Sequence, residues 1–164
     1  MGKITAVSAP KALQSSVWVL FEDSRGQFYA GGSAGVYPWR NGRFLPSISG
    51  FPDPRVTAMA EDRSGRVWVA TQKGVCELRG SGCFADAVPA ALRTFQAYAL
   101  TADPGGGLWL GGTGQVLRWR DSEVLALGPA DGLPDARITG MVSDERALWI
   151  ATGAAASSAT RPVD

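Results

Sequence analysis

Six residues carry the side chains best suited to hold a ligand. Trp39-Arg40 and Trp119-Arg120 each set an indole beside a guanidinium. Such a pair can stack on a sugar or another ring and contact a polar substituent. Leu78-Arg79 occupies the matching place between them, which favours a structural pattern over a binding one. Arg55 and Arg137 close the stretches Phe51-Pro-Asp-Pro-Arg55 and Leu133-Pro-Asp-Ala-Arg137. Each could hold an anion, or could simply end a solvated loop.

The chain offers little for catalysis. None of its 164 residues is His, which removes the commonest general base and metal ligand. No catalytic residue, metal site or cofactor is expected. Gly105-Gly-Gly107 lacks the Gly-Lys-Ser/Thr ending and the following helix of a phosphate-binding loop. Lys and Arg total 16 against 15 Asp and Glu, a net charge of +1. That balance gives no footprint for nucleic acid and no polybasic attraction to an anionic membrane. The longest apolar run, residues 17–21, is far too short to cross a bilayer. Residues 1–14 hold no apolar region of signal-peptide length. Neither a nucleic-acid partner nor membrane contact by this segment is expected.

The elements that position these residues follow from a repeat. Asp23, Asp62, Asp103 and Asp144 stand 39, 41 and 41 residues apart. Tyr29, Trp68, Trp109 and Trp149 stand 39, 41 and 40 apart. Each unit reads as an apolar strand, a tight turn opened by the Asp, and a second strand holding the aromatic residue. In Asp23-Ser-Arg-Gly26 and Asp62-Arg-Ser-Gly65 the Asp caps the turn and the Gly accepts a positive φ. A third strand follows a Gly, and a two-residue hairpin such as Asn41-Gly42 leads into a fourth. Four strands at a period near 40 describe a β-propeller blade.

The predicted fold is all-β: an incomplete β-propeller of four-stranded antiparallel blades, about 3.5 to 4 of them, in a single unit over 1–164. The blades fall at about 16–50, 55–93, 96–132 and 137–164, the last partial, with residues 3–7 as a stray outer strand. First strands should line the central channel, with small residues at Val19, Ala58, Ala99 and Gly140. After Thr152 the chain reads Gly-Ala-Ala-Ala-Ser-Ser-Ala-Thr, which departs from the repeat. The four aromatic anchors, one per blade at a fixed position, serve packing between blades better than they serve as a sugar-stacking set. The four Asp residues serve as turn caps better than as paired carboxylates or calcium ligands, because one per blade makes no close pair. Cys76 and Cys83 fall in one blade. With Arg79 opposite Cys83 across a three-residue turn, only a diagonal disulfide is open to them.

Glu61-Asp-Arg-Ser-Gly-Arg-Val-Trp-Val-Ala-Thr71, followed by Gly74-Val75, resembles the two-component regulator propeller repeat. The resemblance runs over about residues 17–152, and the fourth copy lacks the turn Gly. It implies a bacterial, extracytoplasmic or periplasmic sensor region of a signal-transduction protein. On that basis the chain is expected to be a non-catalytic ligand-sensing module, binding a glycan or other small ligand. The alternatives are a protein-interaction scaffold, with a protein partner or self-association, and a propeller lyase.

Overall fold

The computed structural model describes residues 6–13, 16–153 and 156–160. Blade 1 consists of Val17–Glu22 (β1), Phe28–Gly32 (β2), Gly35–Arg40 (β3) and Arg43–Phe44 (β4). Blade 2 is Val56–Glu61 (β5), Val67–Thr71 (β6), Gly74–Arg79 (β7) and Gly82–Phe84 (β8). Blade 3 is Ala99–Ala102 (β9), Leu108–Gly111 (β10), Val116–Arg120 (β11) and Glu123–Leu127 (β12). Blade 4 is Ile138–Ser143 (β13), Ala147–Thr152 (β14) and Ala156–Thr160 (β15). Every blade is an antiparallel meander in chain order. β1 lies against β5, β5 against β9 and β9 against β13, so four β-propeller blades form an open arc around the first strands.

The turn chemistry explains where each first strand stops. The Asp23 carboxylate accepts the amides of Arg25 (3.0 Å) and Gln27 (2.8 Å), and Gly26 takes φ +76°. Asp62 accepts Ser64 (2.8 Å) and Arg66 (3.1 Å) in the same way. Asp103 accepts Gly105 (2.9 Å). Asp144 accepts Arg146 (2.7 Å) and Ala147 (2.8 Å) across a turn one residue shorter. At the far end of the outer hairpin, Asn41 and Gly42 adopt φ +50° and +77°, the mirror-image turn that suits strand twist.

Residues paired across strands share a face, and successive residues alternate between faces. One face of blade 1 (Val19, Phe21, Tyr29, Val36) meets Val56, Met59, Val67, Val69 and Cys76 of blade 2. Trp68, Ala70 and Val75 on the other face of blade 2 meet Leu100, Leu108, Leu110 and Trp119 of blade 3. Trp109 and Val116 on the far face of blade 3 meet Ile138, Leu148 and Ile150 of blade 4. Tyr29, Trp68 and Trp109 thus fill the three junctions between blades.

The rows of small residues sit where blades converge. Val19, Ala58, Ala99 and Gly140 pair with Gly31, Ala70, Gly111 and Ala151. A Cβ on Gly31 would come within 2.9 Å of Val56 Cγ1, and one on Gly111 within 2.6 Å of Ile138 Cγ2. Anything larger than hydrogen there pushes neighbouring blades apart.

One expectation meets a different outcome, and another falls mostly outside the described residues. The segment after Thr152 leaves the repeat in sequence yet forms β15, paired with β14 from Ala147 opposite Thr160 to Ala151 opposite Ala156. Backbone pairing onto an open strand needs no apolar periodicity, so the pattern gives no sign of it. Of the stray strand at residues 3–7, residues 3–5 lie outside the described residues, and Ala6 and Val7 form no strand.

Among the described residues the arc does not close. Trp18 and Leu20, on the outward face of blade 1, are 52% and 67% exposed. Val142 and Trp149, on the outward face of blade 4, are 65% and 54% exposed. Trp149 holds the position that Trp68 and Trp109 hold, but among the described residues no blade lies beyond it.

Candidate functional site

The meander sends alternate connections to opposite ends of the arc. The Asp turns and the outer hairpins share one end. The β2–β3-type loops and the connectors between blades share the other. The six candidate ligand residues divide accordingly. Trp39, Arg40, Trp119 and Arg120 end third strands at the turn end. Arg55 and Arg137 precede first strands at the connector end. No single site brings all six together.

At the connector end, Arg55 makes a two-pronged ion pair with buried Asp53, at 2.9 Å from both Nε and an η nitrogen. These hydrogen bonds, ahead of the opposing effect of burial, hold the Asp53 carboxyl down at about 2. Lys73 adds a longer contact to Asp53 at 3.9 Å. The Arg137 guanidinium lies over the Tyr98 ring, 4.4 Å from its centroid. Both arginines are therefore engaged within the chain: one clamps its connector, and the other stacks on the start of the neighbouring first strand.

At the turn end, the two Trp-Arg pairs part company. Trp119 is buried and meets Trp68 edge-on, with centroids 4.8 Å apart. Its ring belongs to the junction of blades 2 and 3 and is not offered to a ligand. Trp39 is half-buried against Phe44, centroids 4.7 Å apart, on the outward face of blade 1. Arg40 is exposed and donates to the Gln27 side-chain carbonyl at 3.2 Å. Arg120 lies 3.9 Å from Asp121.

A groove of about 410 Å³ opens between blades 1 and 2, lined by Asp23, Arg25, Gln27, Tyr29 and Arg40 with Val67 and Leu78. Its equivalent between blades 2 and 3, about 390 Å³, is lined by Ser64, Arg66, Trp68 and Asp121. The anchors form the floor of each. Arg66 donates to Asp62 at 2.8 Å, and Trp68 Nε1 donates to the same oxygen at 2.9 Å. Burial pushes the Asp62 carboxyl up. The Trp68 indole and the Arg66 and Ser64 amides outweigh it and hold the group below its ordinary value. In blade 3 this role passes to Arg118, whose Nε is 2.6 Å from Asp103, and among the described residues the Trp109 indole nitrogen has no hydrogen-bond partner.

The first groove can hold a polar or anionic group. The Arg25 and Arg40 guanidiniums line it together with an apolar wall of Val67 and Leu78, whereas the Gln27 amide is spent on the Phe28 and Trp39 carbonyls. Arg25 is 71% exposed and only loosely tied to Asp23, at 3.5 Å. Sequence reasoning missed Arg25 and Gln27. The signal was present in Asp23-Ser-Arg-Gly-Gln27, because a residue flanking the turn Gly projects from the end of a blade. Among the described residues, no three acidic or Cys side chains converge to hold a metal.

Cys76 and Cys83 form a disulfide, Cα atoms 5.5 Å apart. The hairpin turn has two residues, so Arg79 pairs with Gly82 and Leu78 with Cys83. The expected pairing of Arg79 with Cys83 is thus shifted by one. Cys76 and Cys83 lie diagonally on one face, two residues out of direct opposition.

Known structures share the fold. A catalytically inactive His-to-Ala variant of virginiamycin B lyase from Staphylococcus aureus, crystallised with quinupristin, superposes with a TM-score of 0.73 at 16% identity. The match covers 96% of this chain and 55% of the lyase. The extracellular domain of a hybrid two component system from B. thetaiotaomicron matches with a TM-score of 0.65 at 15% identity, over 82% of this chain and 20% of that one. The WD40 β-propeller domain of Doa1 also gives 0.65 at 15% identity, over 86% of this chain and 49% of its own. The chain spans about half or less of each, and at these identities the likeness is one of fold. No curated protein matches the chain in sequence. Residues 50–73 match the model of the two component regulator propeller family, so the stretch that ends the first connector and builds β5 and β6 is a repeat of that family, set in a β-propeller arc.

Proposed function

We propose that the chain is part of a sensor propeller in a two-component-type signal-transduction protein, that it is non-catalytic, and that it binds a polar small ligand such as an acidic glycan. The observation that carries this reading is the family repeat at residues 50–73. The shared fold with extracellular domains of hybrid two component systems supports it. The Cys76–Cys83 disulfide supports an extracytoplasmic setting, because such bonds persist in oxidising compartments. The groove between blades 1 and 2 is the favoured ligand site, since its arginines can bind carboxylate and hydroxyl groups.

The scaffold reading has its own support in the apolar faces exposed at both ends of the arc. The lyase reading has less. The lyase variant named above is inactive with a His replaced, and no residue within this chain is His.

The test is a thermal-shift screen with neutral and uronate-containing oligosaccharides, followed by calorimetry on any hit. The reading expects saturable stabilisation that is lost in Arg25→Ala/Arg40→Ala. No response to any sugar, alongside a specific protein partner, would favour the scaffold. Turnover of a hit would restore the enzyme reading.

A further inference from the structure

The outer edges of the blades are finished in different ways, and one of them is left open. A fourth strand turns half of its N–H and C=O groups away from the sheet, where nothing in the blade can meet them. In blade 1 that strand, β4, is two residues long and sets Arg43 opposite Arg40. In blade 2 the first connector covers the edge. Ser49 donates to the Ser81 carbonyl at 3.3 Å and accepts the Cys83 amide at 2.8 Å, in a parallel bridge to Gly82.

Blade 3 has no such cover among the described residues. β12 has five residues and is the longest of the fourth strands. Its hairpin closes at Arg120 opposite Glu123, as that of blade 2 closes at Arg79 opposite Gly82. Val124 therefore stands where Cys83 stands, and Val124 and Ala126 turn their backbone groups outward. No described backbone group bonds to them. The edge also lacks the residues that protect one. Glu-Val-Leu-Ala-Leu holds no Lys, Arg or Pro, and its single charge lies at one end. Leu125 is 45% exposed, whereas Phe84, at the same place on β8, is capped by the Arg79 guanidinium. β15 ends a sheet too, but Ala-Ser-Ser-Ala-Thr brings no large apolar side chain to a contact.

We propose that β12 is a pairing edge for the β12 of a second copy of this chain, the two strands running antiparallel about a two-fold axis at Leu125. In this register Val124 lies opposite Ala126 of the other copy on both sides of the axis. Each of these pairs exchanges two hydrogen bonds. Leu125 meets Leu125 across the axis, in the kind of pair whose side chains come closest. Glu123 falls opposite Leu127, so the two carboxylates are kept apart. An axis at Glu123 would oppose them and leave part of each strand unpaired. The interface is small, below the standard size for a permanent complex, so the pairing is reversible. The proposal is independent of the ligand reading.

Sedimentation of the oxidised chain between about 10 µM and 1 mM spans the affinities expected of so small an interface. The proposal expects a monomer–dimer equilibrium in that range. Ala126→Pro removes an outward donor and leaves the bonds to β11 in place. It should weaken association at least about tenfold while the dilute chain melts as the parent does. Leu125→Glu sets a carboxylate opposite Arg118 within the chain and against its twin across the axis, and should also give monomer. Mixing the Leu125→Glu and Leu125→Lys chains should restore the dimer, because only this register opposes residue 125 to itself. A parent that stays monomeric throughout overturns the proposal. So does a dimer that either Ala126→Pro or Leu125→Glu leaves unchanged, or a mixture that stays monomeric where the parent dimerises.

Discussion

Asp62 does the work of several residues. Its carboxylate satisfies two turn amides, the Trp68 indole and the Arg66 guanidinium. Removing it leaves the buried Trp68 indole N–H unpaired, at about 1–3 kcal/mol, and also unties the Ser64 and Arg66 donors of the turn, which water can reach. Asp62→Ala should therefore lower stability by roughly 3–5 kcal/mol in urea unfolding, and Asp144→Ala, on an exposed turn, by distinctly less. Acid reports a second carboxylate. The folded pKa of Asp53 is about 2, below the ordinary value of about 3.9. The folded state thus holds this proton more weakly than the unfolded chain does. The resulting stability is complete above about pH 4 and is lost as pH falls towards 2. Melting temperatures between pH 5 and 2 should fall less steeply in Asp53→Asn than in the parent. The anchors are legible in sequence because each recurs once per blade. The fate of a Trp-Arg pair is not. Trp39 and Trp119 look alike, but among the described residues only Trp119 has a preceding blade to bury it. A residue's own pattern cannot report its neighbour.

At the scale of the element, the outer hairpin of blade 2 is held by more than pairing. The Cys76–Cys83 bond ties β7 to β8, and β8 anchors the first connector through Cys83 N–H to Ser49 O at 2.8 Å. Reduction should lower the melting temperature by about 4–8 °C, from a chain-entropy effect of about 2 kcal/mol for so short a loop. Scans with and without reductant measure this, and Cys76→Ser/Cys83→Ser should abolish the response. Register decided whether this bond could form, and register depended on turn length. Gly80-Ser81 closes the hairpin in two residues where Arg-Gly-Ser-Gly-Cys permits three. β15 shows the opposite limit. Ala and Ser carry little strand preference, so only the open backbone of β14 accounts for that strand. The Asp turns, by contrast, are local chemistry and can be read directly from Asp-x-x-Gly.

At the scale of the molecule, the repeat predicts the number of blades, and the exposed faces show that the arc is open. Each second-strand aromatic packs into the blade that follows it, so the same residue type has a different worth at the end of the arc. The most direct measurement is a pair of unfolding curves, for Trp109→Ala and Trp149→Ala. Trp109 is fully buried between blades 3 and 4, and its loss should cost about 3–5 kcal/mol. Trp149 faces solvent beyond the last blade, and its loss should cost less than about 1 kcal/mol. Comparable losses at the two positions would contradict the open arc, because Trp149 would then be packed against another blade.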